Sequence, residues 1–140
     1  MIILGVDPGG TTGLCLVNFD KETYELKLLQ EDEVHIDNLT PMELSFWLPD
    51  YAEWSVGLIV MESIVKTGRL TQGKIDQIRA AERVRYEAEV YRISLVEVTP
   101  EERGRAKVTK EILGEREGKK LNHAEDALRA VIACVNRIKH

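Results

Sequence analysis

The first third of the chain consists of short apolar runs separated by turn residues, which is the pattern of β-strands. Residues 2–6 form an apolar run that is typical of a central strand buried on both faces of a sheet. Pro8-Gly9-Gly10 then turns the chain sharply, because glycine adopts backbone angles that other residues resist. Residues 12–19 and 24–34 continue in strand-like composition on either side of a polar turn. Three consecutive strands with short links predict an antiparallel meander.

Helical and strand patterns alternate in the rest of the chain. The predicted elements are, in order, a helix from Pro41 with Thr40 as its N-cap, a strand over 56–62, a helix over 71–91, a strand over 93–98 and a helix that is capped by Asn122 and runs to about residue 138. Thr99-Pro100 ends the fifth strand, and residues 101–121 are mostly charged, with at most a short helix near 108–113. This order predicts an α/β fold: a five-stranded mixed sheet flanked by helices on both faces, in a single domain over 1–140.

Length and composition fit an ordinary globular domain. The 140 residues are 44% hydrophobic and 31% charged. No apolar stretch approaches the ~20 residues that a membrane-spanning helix needs, and no signal-peptide pattern opens the chain. Cys15 and Cys134 lie far apart in apolar surroundings, which favours buried, reduced thiols over a disulfide or a metal clip. A cytoplasmic protein with no membrane partner is therefore expected.

The charge of the chain is unevenly distributed. The formal net charge of −5 argues at first sight against a nucleic-acid partner. However, residues 66–120 carry 14 Lys or Arg against 10 Asp or Glu, whereas the remaining residues carry 5 against 14. This asymmetry permits one basic face on an acidic body, although a solvated helix surface would give the same counts.

Two of the apolar strands end in an acidic residue. Asp7 follows the first strand, and Glu62 ends the fourth. If these strands are parallel neighbours, both carboxylates emerge at the same edge of the sheet. Taken singly, each has an ordinary explanation: Asp7 would cap its own turn, and Glu62 would pair with a lysine. An ionised carboxylate beside a buried strand is nevertheless costly unless a cation or hydrogen-bond donors compensate it.

The start of the last helix carries further candidate side chains. His123 and Asp126 are three residues apart and share a helix face, which continues through small apolar residues and so is predicted to point at the sheet. Glu125 lies on another side, above Arg129 at i,i+4. The helix phase therefore selects Asp126 over Glu125 as the inward acid. A histidine at a helix start is, by itself, more often a cap or a surface residue.

Together, Asp7, Glu62, His123 and Asp126 would converge at one edge of the sheet. Three carboxylates that lie close together raise one another's pKa unless a cation compensates them, and oxygen ligands select Mg²⁺ or Mn²⁺. Two such ions, ~3.5–4 Å apart, activate a water molecule and stabilise the leaving oxygen in phosphodiester cleavage. A neutral imidazole at His123 would either ligate the second ion or position the water. No organic cofactor is indicated.

Three motifs in the sequence resemble those of a known protein family. Gly5-Val-Asp7-Pro-Gly9-x-x-x-Gly13, Val60-Met-Glu62 and His123-Ala-x-Asp126-Ala127-Leu128 resemble, in order, the motifs of the RuvC-type Holliday junction resolvases of the RNase H-like superfamily. The resemblance spans essentially the whole chain. The short length and the drift within the motifs are more similar to a phage-borne or otherwise divergent member than to the bacterial housekeeping enzyme.

The resemblance implies a specific activity. It implies an RNase H-like fold and an endodeoxyribonuclease that resolves four-way DNA junctions by paired symmetric nicks. The catalytic and metal-binding set would be Asp7, Glu62, His123 and Asp126, with two Mg²⁺ ions per active site, for which Mn²⁺ substitutes. The protein would be a homodimer through the 71–91 helix, located at the nucleoid or in the host cytoplasm of a phage. In the family an aromatic residue often follows the second acid by three positions, whereas this chain has Val65 there.

Phosphate contacts would come from basic residues near the acids. The expected DNA-binding residues are Lys66, Arg69, Lys74, Arg103, Arg105, Lys107 and Lys110. Contacts of this kind position DNA without reading its sequence, and they make binding strongly dependent on salt. Solvated charges on surface loops are the alternative for any one of them.

Three other functions fit parts of the sequence. A nuclease of the same superfamily that acts on structured RNA, such as an rRNA-processing enzyme, would share the acids without cutting junctions symmetrically. The glycine-rich turn after Asp7 also resembles the first phosphate loop of actin-like ATPases and sugar kinases, but that fold needs two such lobes. A catalytically silent nucleic-acid-binding module would not need the full set of acids.

Overall fold

The computed structural model describes residues 1–48, 55–64, 68–114 and 120–139. The strands within these ranges are β1 (Ile2–Asp7), β2 (Thr11–Phe19), β3 (Leu26–His35), β4 (Val56–Glu62) and β5 (Leu95–Val98). The helices are α1 (Pro41–Trp47), α2 (Gln72–Tyr91), α3 (Pro100–Arg105), α4 (Lys110–Leu113) and α5 (Asn122–Lys139), and a 3-10 turn (Ile36–Asn38) precedes α1. None of these helices is both long enough and apolar enough to cross a membrane.

The strands form one mixed sheet in the order β3-β2-β1-β4-β5. Strands β1, β2 and β3 pair antiparallel, which confirms the predicted meander. Strand β4 lies parallel to β1 on its other side, and β5 lies parallel to β4. The ends of β1 and β4 therefore meet at one edge of the sheet, as the two terminal acids require.

Each face of the sheet carries its own hydrophobic core. On one face, α1 and α2 pack against alternate residues of the central strands, including Leu4, Val6 and Ile59. On the other face, α5 packs against the residues between them, such as Ile3 and Val60. This alternation follows from the two-residue period of a strand. The predicted fold class, a five-stranded mixed sheet with helices on both faces, is confirmed.

Strand β3 and helix α5 differ slightly from the prediction. Strand β3 begins at Leu26 instead of residue 24, because Tyr24 has a left-handed backbone (φ 62°) in the turn that joins the strands. Helix α5 includes Asn122, which was expected to precede it as the cap.

Helix α3 is a larger difference, since residues 101–121 were predicted to be mostly irregular. Thr99 accepts a hydrogen bond from the Glu102 backbone N–H, and the Glu102 side chain accepts one from the Thr99 N–H. This capping box, with Pro100 at the first helical position, starts a helix at the point where the sequence was interpreted only as the end of a strand.

Candidate active site

Asp7 and Glu62 lie side by side at the ends of β1 and β4. The residues that precede them, Val6 and Met61, are register partners in the parallel pair. Both carboxylates are largely shielded, with side chains 15% and 17% exposed. They line a cavity of about 140 Å³, to which Lys74 of α2 also contributes. The two strand-end acids are therefore brought together as the sequence predicted.

His123 lies over the antiparallel part of the sheet. Asp7 pairs with Gly13 of β2, and Gly13 pairs with Glu33 of β3, so these three residues form a row across the sheet. The imidazole of His123 lies above this row: its Nδ1 is 3.3 Å from Asp7 Oδ2, and its Nε2 is 3.9 Å from Glu33 Oε2. The side chain is 50% exposed, so the imidazole is close to Asp7 and also accessible from solvent.

Asp126 joins the same cluster through an arginine. Arg103 of α3 lies between Glu62 and Asp126, with Nε 3.1 Å from Glu62 Oε2 and Nη1 2.9 Å from Asp126 Oδ1. A second guanidinium, that of Arg129, lies 3.0 Å from the same Asp126 oxygen. Two cationic side chains therefore partly compensate the charge of the acids.

Burial, and to a lesser extent mutual repulsion, raises the pKa of both strand-end acids. The pKa of the Asp7 carboxyl is raised from 3.8 to about 6, chiefly because burial penalises the charged form. The contact with His123 opposes this shift, whereas the carboxylates of Asp126 and Glu62 add to it. Burial likewise raises the pKa of Glu62, and Asp126 adds to that shift while Arg103 opposes it. A cation at this edge of the sheet would relieve both acids.

The donor chemistry fits a hard divalent cation, because three carboxylates and an imidazole are oxygen and nitrogen ligands of the kind that Mg²⁺ and Mn²⁺ accept. As the side chains stand, however, no three His, Cys, Asp or Glu residues in the described ranges are arranged closely enough to hold a metal ion. At Glu62 and Asp126, the Arg103 guanidinium lies between the two carboxylates.

Glu125 differs from the expectation in two respects. Arg129 contacts Asp126 at i,i+3 and not Glu125 at i,i+4 as predicted. Glu125 is also the more buried of the two acids, with its side chain 9% exposed against 28% for Asp126. Its Oε2 lies 2.7 Å from Lys120 Nζ, so its charge is paired outside the cluster. Of the two, Asp126 is the acid that interacts with Asp7 and Glu62.

The basic residues expected to contact DNA fall into separate places. Lys74 lines the cavity beside the acids, Arg69 is exposed near the start of α2, and Lys110 is exposed on α4. Lys66 lies outside the described residues, as does Val65. Arg103 lies inside the acidic cluster, where it contacts carboxylates.

Arg105 and Lys107 lie away from the acids. They line a cavity of about 520 Å³ together with residues of the C-terminal half of α5, among them Ile132 and Lys139. At 1.5 Å per helical residue, this region is roughly 10–20 Å along α5 from Asp126. These two side chains are therefore placed at the opposite end of α5 from the acidic cluster.

Sequence reasoning missed Glu33, Arg129 and the position of Arg103. Arg129 carried a usable signal, because i,i+3 and i,i+4 partners are equally available on a helix. Glu33 carried none, since its place beside His123 depends on the register of β3 against β2. Arg103 was selected only as a phosphate contact, because helix α3 was not predicted.

Comparison with known proteins confirms the fold. No family model and no curated protein matches the sequence. Among solved structures, RuvC of Thermus thermophilus is similar over 99% of this chain and 96% of its own, with a TM-score of 0.75 and 18% identity. The fowlpox virus Holliday junction resolvase is similar over 98% and 99%, with a TM-score of 0.67 and 14% identity. The yeast mitochondrial Holliday junction resolvase Ydc2 is similar over 95% and 77%, with a TM-score of 0.61 and 9% identity.

Two of these proteins have also been solved with DNA. The Thermus RuvC structure exists in complex with a Holliday junction substrate, and the fowlpox resolvase exists in complex with substrate Holliday junction DNA. The structural similarity itself shows that the chain has the RNase H-like fold of the RuvC-type resolvases, as the motif resemblance implied.

Proposed function

We propose that this protein is a divalent-metal-dependent endonuclease that resolves four-way DNA junctions by paired symmetric nicks. The observation that carries the proposal is the convergence of Asp7, Glu62, His123 and Asp126, from three separate elements, at one edge of the sheet. The shared fold supports it, because the similar structures extend over nearly the whole chain and are Holliday junction resolvases.

The residues of this chain would divide the work as follows. Asp7, Glu62 and Asp126 would hold Mg²⁺ or Mn²⁺, and the bound ions would supply Lewis-acid activation of water and stabilisation of the leaving oxygen. Asp7 is the most shielded of the three acids and would anchor the site. His123 contacts Asp7 through Nδ1 and is half exposed, so its imidazole can reach the attacking water or the substrate.

Lys74 would contribute to substrate binding. It lines the same cavity as Asp7 and Glu62, so its ammonium group is placed to contact a phosphate next to the reacting one. Arg69 and Lys110 are exposed and would contact the arms of the junction by charge alone. Arg105 and Lys107 would serve only a DNA arm that passes along the far end of α5.

Symmetric cutting requires two active sites, which we propose a homodimer provides through α2. The residues on this helix divide between the core and the surface: Val84 is buried, whereas Tyr86 and Val90 are 64% and 56% exposed. Tyr86 and Val90 are four residues apart and share a face. They are the apolar side chains of α2 that are best placed for a subunit contact.

The test is a cleavage assay on matched substrates. The purified protein is incubated with Mg²⁺ or Mn²⁺ and labelled four-way junction, duplex DNA, hairpin RNA and RNA–DNA hybrid. The proposal predicts nicks in pairs of opposing strands of the junction, with ends that a ligase reseals. Preferential cutting of the hairpin RNA or of the hybrid would instead assign the site to an RNA-directed nuclease, and ATP hydrolysis without nucleic acid would favour an ATPase.

A further inference from the structure

We propose that Arg103 is an internal cation that competes with divalent metal ions for Glu62 and Asp126, and so sets the metal affinity of the site. The inference rests on the proposed function, because it concerns the same acids. It goes beyond the expectation that Arg103 contacts phosphate, and it gives this side chain a role before any DNA is bound.

The contacts of Arg103 carry the proposal. Its Nε lies 3.1 Å from Glu62 Oε2 and its Nη1 lies 2.9 Å from Asp126 Oδ1, so one guanidinium joins acids from β4 and α5. The side chain is 27% exposed, and the two carboxylates are 17% and 28% exposed, so the bridge is shielded from most of the solvent. Interactions of this kind are screened less than those between surface charges.

A metal ion and the guanidinium require the same oxygen atoms. Glu62 and Asp126 would hold a divalent ion through their carboxylate oxygens, and Arg103 contacts one of these oxygens on each side chain. Because two cations that share the same carboxylates also repel each other, binding of an ion would require Arg103 to turn away. The free energy of the contacts between Arg103 and the two carboxylates is therefore lost when the ion binds, which weakens the affinity of the site for the ion.

The position of Arg103 is determined by the local structure of α3. The preceding residue, Glu102, closes the capping box with Thr99 and also accepts hydrogen bonds from Arg137 of α5, at 2.6 Å and 3.0 Å. Arg137 donates in addition to the main-chain oxygen of Glu97. These bonds hold α3 against α5, so that Arg103 is presented to the acids from a fixed backbone.

Displacement would leave the guanidinium available at the edge of the sheet where substrate binds. An arginine released from two carboxylates is suited to a phosphate, to which its guanidinium can donate two parallel hydrogen bonds. Metal loading and DNA binding would therefore favour each other, because the phosphate replaces the partners that the metal takes.

The direct test measures metal binding without DNA. Mn²⁺ is titrated into wild-type protein, Arg103→Gln and Arg105→Gln, and the free ion is followed by electron paramagnetic resonance. Arg105 is the matched control, because it lies two residues further along α3, carries the same charge and faces the other cavity. We expect the Kd for Mn²⁺ to fall by about tenfold or more in Arg103→Gln and to stay within about twofold of wild type in Arg105→Gln. An unchanged or higher Kd in Arg103→Gln overturns the proposal.

A second variant covers the case in which Arg103→Gln does not fold. Arg103→Lys keeps the positive charge but cannot bridge two carboxylates with a planar fork. It should also bind Mn²⁺ more tightly than wild type, and equal or weaker binding counts against the proposal. Junction cutting by the wild-type protein is measured in parallel. If the wild type cuts the junction but the Arg103 variants bind Mn²⁺ no more tightly than it does, only this inference is refuted. If the wild type neither binds Mn²⁺ nor cuts the junction, the proposed function is refuted.

Discussion

Gly13 of β2 and His123 of α5 touch through their main chains. A Cβ atom placed on Gly13 would lie 2.0 Å from the carbonyl oxygen of His123 and 2.6 Å from the backbone nitrogen of Ala124. The start of α5 therefore rests directly on the sheet, at the row that also contains Asp7 and Glu33. This close approach allows His123 to reach Asp7, and only a residue without a side chain permits it.

Gly13→Ala should therefore be strongly destabilising. Since the obstructing atoms belong to the backbone, α5 has to shift, and we expect a loss of more than about 2 kcal/mol in the free energy of unfolding. The measurement is urea denaturation followed by circular dichroism. Gly104→Ala in α3 is the control, because no heavy atom of the described residues lies within 4 Å of the place its methyl group would occupy, and it should leave stability unchanged or slightly raised. Equal effects of the two substitutions would contradict the packing argument.

Asp7→Asn should abolish junction cutting while junction binding is retained. The substitution removes the charge of a proposed metal ligand but leaves the size of the side chain and the basic residues unchanged. We expect cleavage to fall to less than about a hundredth of wild type, as is usual when a charged group that stabilises the transition state is removed. Gel assays of cleavage in Mg²⁺ and of binding in EDTA make the comparison. Wild-type turnover by the variant would show that Asp7 is not in the catalytic set.

The same variant should be more stable than wild type at neutral pH when metal is chelated. The pKa of Asp7 is about 6 in the folded protein and 3.8 ordinarily, so the folded state holds a proton that the unfolded state loses between these values. The free energy of unfolding therefore falls as the pH rises through this window, by at most about 3 kcal/mol. The Asp7→Asn variant does not lose stability in this way, because its amide does not ionise.

Urea denaturation in EDTA at pH 4, 6 and 8 tests this expectation. The stability gain of Asp7→Asn over wild type should be small at pH 4 and largest at pH 8, reduced somewhat by the lost contact with His123. Added Mg²⁺ should narrow the difference, because it stabilises the ionised carboxylate of the wild type. A difference that does not change with pH would show that burial of Asp7 carries no such penalty.

Glu33→Gln should reduce cutting through His123. Glu33 Oε2 is 3.9 Å from His123 Nε2, so its charge helps to orient an imidazole that also contacts Asp7. Carboxylates that orient a metal-site histidine typically contribute a factor of about ten or more, and we expect a loss near the lower end of that range. Asp32→Asn is the control, because Asp32 occupies the neighbouring position of β3, where its side chain is on the other face of the strand. Equal rates for both variants, measured on the junction in Mg²⁺, would exclude a role for Glu33.

Tyr86→Glu should convert the proposed dimer into a monomer. Tyr86 is 64% exposed on α2, and a carboxylate placed in an apolar subunit contact would be desolvated without a partner. Size-exclusion chromatography with light scattering measures the mass. Ile138→Glu is the control, because Ile138 is similarly exposed (54%) but lies at the far end of α5. A monomeric wild type, or a dimeric Tyr86→Glu, would argue against an α2 interface.

The sequence by itself determined the sheet and the ends of its central strands. Strands appear in the sequence as apolar runs, either continuous or alternating with polar residues, that are broken by glycine and proline. These are local signals, and they located Asp7 and Glu62 at the strand ends. Helical phase was also sufficient to place His123 and Asp126 on the side of α5 that reaches these acids. These features depend on residues that are near one another along the chain.

The tertiary structure alone decided which charges meet. The capping box of Thr99 and Glu102 is a local signal for the start of α3, but it is the packing of α3 against α5 through Glu102 and Arg137 that brings Arg103 to the acids. Glu33 reaches His123 because of strand register, and Arg105 turns away from the acids because of its place on α3. Such contacts join residues up to 116 positions apart. Their energies depend on burial and distance, which a linear pattern of residues does not contain.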